Sequence, residues 1–212
     1  MKLRAVFQWR HAKLALVVFL LLPFLSLCVG ILQNSLGPNP AEYLIRSTGE
    51  LTLRMLCLTL CISPMRVQFS LPELAKFRRS LGLLTFFYVF MHALCYSLFD
   101  MEWAWDDIAK DIVKRPFILV GFTAAILMSL LAATSLNRAI RWLGAARWRR
   151  LHQTVYAIAL LAILHFFWMR SGKQNFTEVG VYGAILALLL GWRIWRAGRA
   201  KFASIRPPNV RP

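Results

Sequence analysis

Six stretches of this chain are long, apolar and almost free of charge, near residues 13–32, 47–64, 80–98, 117–136, 151–169 and 178–197. A helix needs about 20 such residues to cross a hydrocarbon core. Inside that core every backbone N–H and C=O must find its partner within the protein, which helices do by themselves. The sequence is therefore read as an all-α integral membrane protein, a six-helix transmembrane bundle. The apolar share of 58% agrees with that class. The longest polar gap, from Phe99 to Pro116, is read as a loop, so residues 1–212 are taken as one transmembrane domain.

The formal charge of +17 would suggest nucleic acid as the partner of a soluble protein. Its distribution points to a bilayer instead, with no nucleic acid. Cations gather at the N-terminus (Lys2, Arg4, Arg10, Lys13), in the second loop (Arg66, Lys76, Arg78, Arg79), in the fourth loop (Arg138, Arg141, Arg147, Arg149, Arg150) and in the tail from Arg193 to Arg211. The other three loops hold eight of the nine acids, Glu50 counted with the first. Positively charged loops stay in the cytoplasm, so both termini are expected there, an N-in/C-in arrangement. The first apolar stretch resembles a secretory signal, but it is longer than a typical signal core, and Leu27 is too large for the residue before a cleavage site. It is read as an uncleaved first span. Cys28, Cys57, Cys61 and Cys95 all fall within spans and are read as small buried hydrophobes.

Histidines carry the chemistry. His92 follows Arg79 by 13 positions, which places it about 20 Å up the third span. His165 follows His152, at the mouth of the fifth span, by the same 13 positions and so reaches the same depth. Ionisable groups at membrane depth are costly and face the bundle interior for a purpose. Two imidazoles at one level on two parallel helices are what a bis-histidine haem requires. His152 carries two readings, ligand or interfacial residue. On an ideal helix 13 positions rotate two side chains about 140° apart, so both histidines of the fifth span serve one face only with local unwinding or by different approach directions. Arg78 lies 14 positions before His92, at the level of His152. His11 has no matched partner and is given no role.

Further residues complete a pattern: Ser47-Thr48-Gly49 through Ile62-Ser63-Pro64, Arg78-Arg79-Ser80-Leu81-Gly82 to His92, Lys114-Arg115-Pro116-Phe117, Thr134-Ser135, Trp142-Leu143-Gly144, Trp148 to Leu151-His152, Tyr156 and His165. With this combination, over roughly residues 20 to 195, the chain resembles ferric reductase-like transmembrane domains, and among them the MsrQ (YedZ) family. The wider group carries a second histidine where this chain has Arg78. The resemblance implies a b-type cytochrome subunit of the bacterial inner membrane, with one haem b or two. Electrons from the quinone pool, or from a cytosolic flavin reductase, would pass to a periplasmic molybdopterin enzyme of the MsrP type that reduces methionine sulfoxide in oxidised envelope proteins. It further implies FMN, for which no motif is visible. No flavin or nicotinamide domain follows the sixth span, so the chain is expected to be an electron-transfer subunit and no enzyme by itself.

Three other signals stand beside these. Arg54, inside the second span, either meets a haem propionate or snorkels to the surface. Trp103, Trp105, Trp142, Trp148 and Trp168 fall at the expected interfaces as aromatic anchors. Residues 101–115 are expected to form a short amphipathic helix with Asp106, Asp107 and Asp111 in water. The alternative function is a small transporter or assembly factor whose histidines relay protons; internal repeats and broken helices would favour it.

Overall fold

The computed structural model describes residues 10–172 and 174–205, with side chains to residue 199. Lys2, Arg4 and Arg211, used above in the charge pattern, lie outside these residues. The elements are α1 (Ala12–Leu32), α2 (Pro40–Gln68), a 3-10 turn (Pro72–Phe77), α3 (Arg78–Cys95) continued by a π-helical turn (Tyr96–Asp100), α4 (Trp105–Lys114), α5 (Pro116–Ala133), α6 (Asn137–His152), α7 (Val155–Ser171) and α8 (Thr177–Ile205).

Helix starts follow local chemistry. The Asn39 side chain accepts the Glu42 N–H at 3.1 Å, and Pro40 occupies the first turn of α2, where its missing N–H costs nothing. Pro116 opens α5 in the same way.

Five helical segments are long and apolar enough to cross a membrane: Ala12–Leu32, Pro72–Asp100, Pro116–Ala133, Asn137–Ser171 and Thr177–Arg199. They coincide with five of the six expected spans. At the place of the remaining one stands α2, 29 residues long and diluted by Glu50, Arg54 and several threonines. Its position in the fold accounts for that composition. Leu53, Leu56, Cys57 and Leu60 enter a core shared with α5, α7 and α8, while Leu44, Leu51, Met55 and Ile62 enter a second core with α1 and α3. A helix enclosed by protein on both sides can carry polar groups that neighbouring helices satisfy. The outer helices instead expose Phe19, Phe90, Leu160 and Leu188, as a lipid-facing surface requires.

Two antiparallel pairs dominate the packing, α2 with α3 and α5 with α7. Hydrogen bonds join helices within the apolar interior: Tyr88 Oη donates to the Leu20 carbonyl at 2.7 Å, and the Thr59 and Thr85 hydroxyls lie 3.1 Å apart.

Three expectations need correction. The fourth loop is helical: α6 runs from Asn137 to His152, broken where Gly144 takes φ 72°. Its arginine-rich face masked the signal, and it lies as a surface helix with Trp142 almost fully exposed. The expected helix in residues 101–115 forms as α4, and Asp106 and Asp107 are exposed, but Asp111 is buried. It shares the inner face with Ile108, three positions earlier, accepts from Tyr96 Oη at 2.6 Å and pairs with Arg115 at 2.8 Å. The fifth span starts at Val155, so His152 closes the preceding helix.

Tyr88 is fully buried, and its hydroxyl ties α3 to α1. Tyr88→Phe is expected to destabilise the folded bundle by about 0.5–1.5 kcal/mol, the range of interhelical hydrogen bonds in membranes. Denaturation in mixed detergent micelles reads this directly; an unchanged midpoint removes the bond from the account of stability.

Candidate functional site

The site is built from two helix pairs, each delivering one histidine to its partner's backbone. His92, near the end of α3, reaches α2, where its Nδ1 lies 2.9 Å from the Ile45 carbonyl oxygen. His165, in the middle of α7, reaches α5, with Nδ1 2.6 Å from the Phe117 carbonyl oxygen. A carbonyl only accepts, so in both rings Nδ1 carries the proton and donates. That fixes the tautomer and leaves the Nε2 lone pair of each ring available to a metal.

Glycine makes both approaches possible. A Cβ at Gly49 would fall 3.1 Å from His92 Cε1, and one at Gly121 would fall 2.7 Å from His165 Nδ1. Each glycine stands four residues after the carbonyl that its histidine uses, one helical turn along the same face. The two seats are alike in donor atom, acceptor, glycine and spacing.

Together they bring the rings to 6.2 Å between centroids, with planes at 78°. Imidazole–metal bonds are about 2.0–2.1 Å, so two rings on opposite sides of one metal have centroids about 6 Å apart. Among the described residues no group of three or more His, Cys, Asp or Glu converges as a metal centre. His92 and His165 would each offer one nitrogen donor to a haem iron. Haem fits these residues.

His152 stands in a different setting. Its ring stacks on Trp148 at 4.1 Å, and its Nε2 lies 3.2 Å from Thr134 Oγ1. The Thr134 hydroxyl donates to the Leu130 carbonyl at 2.7 Å, so toward His152 it accepts, and Nε2 is the nitrogen that donates. Trp148 Nε1 is itself held by the Thr134 carbonyl at 3.0 Å. Arg78, the exposed first residue of α3, acts electrostatically on both His152 and Arg193. The nitrogen that is free in His92 and His165 is engaged here. The turn at Gln153 and Thr154 separates His152 from α7.

Arg54 meets protein partners. Its Nε donates to Tyr182 Oη at 3.0 Å and its Nη2 to Glu50 at 3.2 Å. Glu50 also pairs with Arg170 at 3.4 Å, and Arg170 pairs with Glu178. Two cations and two acids form a neutral chain across α2, α7 and α8, and Arg170 within it is buried. Removing either acid would leave a buried guanidinium short of a partner, a far larger cost than any exposed pair carries. Sequence reasoning missed this chain, although Glu50 and Arg54 at a spacing of four are a legible helical pair. It also missed the seats at Gly49 and Gly121, whose partners lie more than 40 positions away in sequence.

Residues 48–163 match the family of ferric reductase-like transmembrane components. The chain is 56% identical, over 87% of its length and 84% of the relative, to the protein-methionine-sulfoxide reductase heme-binding subunit MsrQ of Polaromonas naphthalenivorans. The protein of that name from Ralstonia nicotianae is 45% identical over 90% of this chain and 89% of its own. That from Herminiimonas arsenicoxydans is 44% identical over 87% and 85%. No solved structure matches the chain.

The glycine seats make a direct prediction. Gly121→Ala forces His165 away from the Phe117 carbonyl, and loss of such an orienting bond typically weakens metal affinity 10–100-fold. Gly49→Ala, with its longer contact, is expected to act in the same direction and less strongly. Haem titration into each purified variant measures the effect; affinities equal to the parent in both would reduce the glycines to ordinary packing.

Proposed function

The chain belongs to the MsrQ family of heme-binding subunits of protein-methionine-sulfoxide reductases, and from this premise we propose that His92 and His165 are the axial ligands of a haem b. The observation that carries the proposal is the pair of rings 6.2 Å apart, each with Nδ1 donating to a backbone carbonyl. Haem supplies reversible one-electron carriage between its ferric and ferrous forms. The residues supply the rest. The carbonyl bonds hold both rings in place and raise the basicity of Nε2. Phe117, with its ring 6.0 Å from that of His165, helps to shield the pair from water.

The whole chain, residues 1–212, acts in this reading as one ferric reductase-like transmembrane unit of the bacterial inner membrane. It has six spans, α2 included, with both termini in the cytoplasm, as the alternating loop charges require. Electrons enter from the quinone pool or a cytosolic flavin reductase. They leave to a periplasmic molybdopterin subunit that reduces methionine sulfoxide in oxidised envelope proteins, so catalysis belongs to the partner. FMN is proposed from family resemblance alone, with no residue of this chain assigned to it.

A second haem on the side of His152 and Arg78 completes the proposal. His152 is its protein ligand, and Arg78 faces a propionate or the quinone head group, because a guanidinium never yields the lone pair that ligation needs. Binding through Nε2 there requires the bond to Thr134 to open, so this site is the weaker of the two. Arg54, more than half of whose side chain is exposed, serves an outer propionate with the part of its guanidinium that Glu50 and Tyr182 leave free.

An absorption spectrum of the dithionite-reduced protein separates this function from a proton-relaying transporter: a b-type band supports the haem reading, and a colourless protein ends it. His92→Ala and His165→Ala are each expected to abolish the signal of the outer haem and electron delivery with it. Full, spectroscopically unaltered haem in both variants would overturn the ligand assignment. Haem quantitation per chain tests the inner site: His152→Ala should lower a stoichiometry near two toward one, and a value of one in both proteins returns His152 to an interfacial role.

A further inference from the structure

At the end of the bundle where α8 finishes, an open groove of about 510 Å³ runs between α2 and α8, lined by Pro64, Leu188, Leu189, Gly191, Trp192 and Trp195. Its form follows from its residues. Gly191 leaves a gap in the α8 surface, since a Cβ there would meet no atom within 4 Å. Trp192 and Trp195 wall the groove, and Leu188 is three-quarters exposed along it. A groove of this composition on a helix that exposes apolar side chains matches a hydrocarbon chain in chemistry.

The rim is cationic. The Arg196 guanidinium lies over the Trp192 ring at 5.4 Å, and that of Arg199 lies over Trp195 at 5.0 Å. Stacking on an indole face orients a guanidinium and leaves its N–H edge free for an oxyanion. Among the described residues neither arginine is paired with a carboxylate. Depth agrees with charge. The 29 residues of α8 extend about 43 Å, well beyond a hydrocarbon core of about 30 Å, so its last turns stand among the headgroups. Tryptophan favours that boundary, and arginine one turn further on meets the phosphate level.

We propose that this groove is a binding site for one anionic phospholipid, its acyl chain along Pro64, Gly191 and Trp192 and its phosphate between Arg196 and Arg199. Two unpaired cations select a headgroup with net negative charge. A zwitterionic headgroup brings its own cation, and a quinone brings no charge to select. The site is independent of the haem and of which face of the membrane the helix end occupies.

Native mass spectrometry of the purified full-length protein tests this, with phosphatidylglycerol and phosphatidylcholine of identical chains, glycerophosphate and ubiquinone as separate probes. One retained phosphatidylglycerol per chain is expected, at roughly tenfold preference over phosphatidylcholine given two basic residues at the headgroup level. Glycerophosphate, lacking the chain, should not be retained. Arg196→Gln with Arg199→Gln should abolish the preference. Gly191→Phe, whose Cβ has open space and whose ring would occupy the groove, should lower retention of phosphatidylglycerol while leaving helix content by circular dichroism unchanged. Equal retention of the two lipids, a preference that survives the double arginine variant, or ubiquinone displacing the lipid at equal concentration overturns the proposal. So does retention indifferent to Gly191→Phe, which would leave only surface charge without a groove.

Discussion

Everything at the candidate site depends on one hydrogen bond made twice, from an imidazole Nδ1–H to a helix carbonyl that is already in use. In an α-helix the carbonyl of residue i accepts the N–H of residue i+4 and keeps a second lone pair. That lone pair is normally hidden beneath the side chain one turn on. At Ile45 and Phe117 the residue one turn on is Gly49 or Gly121, and the hidden lone pair is open to the neighbouring helix. The same missing side chain thus satisfies the buried Nδ1–H, fixes the tautomer and sets the ring against its partner. Binding geometry and close helix packing share this cause, and at the His92 seat the buried Thr48 hydroxyl adds to it, 3.1 Å from the Ile45 carbonyl and 3.4 Å from His92 Nδ1.

The second constraint is charge at membrane depth. Glu50, Arg54, Arg170 and Glu178 could not stand singly in that environment; linked through side chains on α2, α7 and α8, they form a neutral chain that adds contacts between these helices. Tyr182 closes it on Arg54. This is why α2, the helix most enclosed by others, is also the least apolar of the long ones: its polar groups are answered by protein and its surroundings ask for little lipid solubility.

How much of this the sequence disclosed follows from which interactions are local. Span positions came from hydropathy, a sum over neighbours in sequence. The matched depth of His92 and His165 came from helical rise alone, and their rings meet. The seats were hidden, because glycine in a membrane helix reads as a small packing residue and its partner is set by the tertiary arrangement of helices. Asp111 looked like a solvated acid until Tyr96 and Arg115 supplied partners. The surface helix of residues 137–152 escaped because Gly144 and five arginines break its apolar period.

The two seats also imply a relation between the halves of the bundle that composition does not show. Gly121 follows Gly49 by 72 positions and His165 follows His92 by 73, and each antiparallel pair, α2 with α3 and α5 with α7, repeats the same contact. At the level of His92 and His165 the halves agree, and both rings leave Nε2 free. Toward the other face they diverge: the first half offers Arg78 near the position where the second offers His152, and guanidinium cannot take the place of imidazole as a ligand. The second half responds with its own local structure, in which Thr134 occupies the nitrogen that a metal would use and Trp148 stacks on the ring. The two levels therefore differ in what they leave free: both Nε2 atoms of the His92 and His165 pair, against a His152 Nε2 that is already hydrogen-bonded.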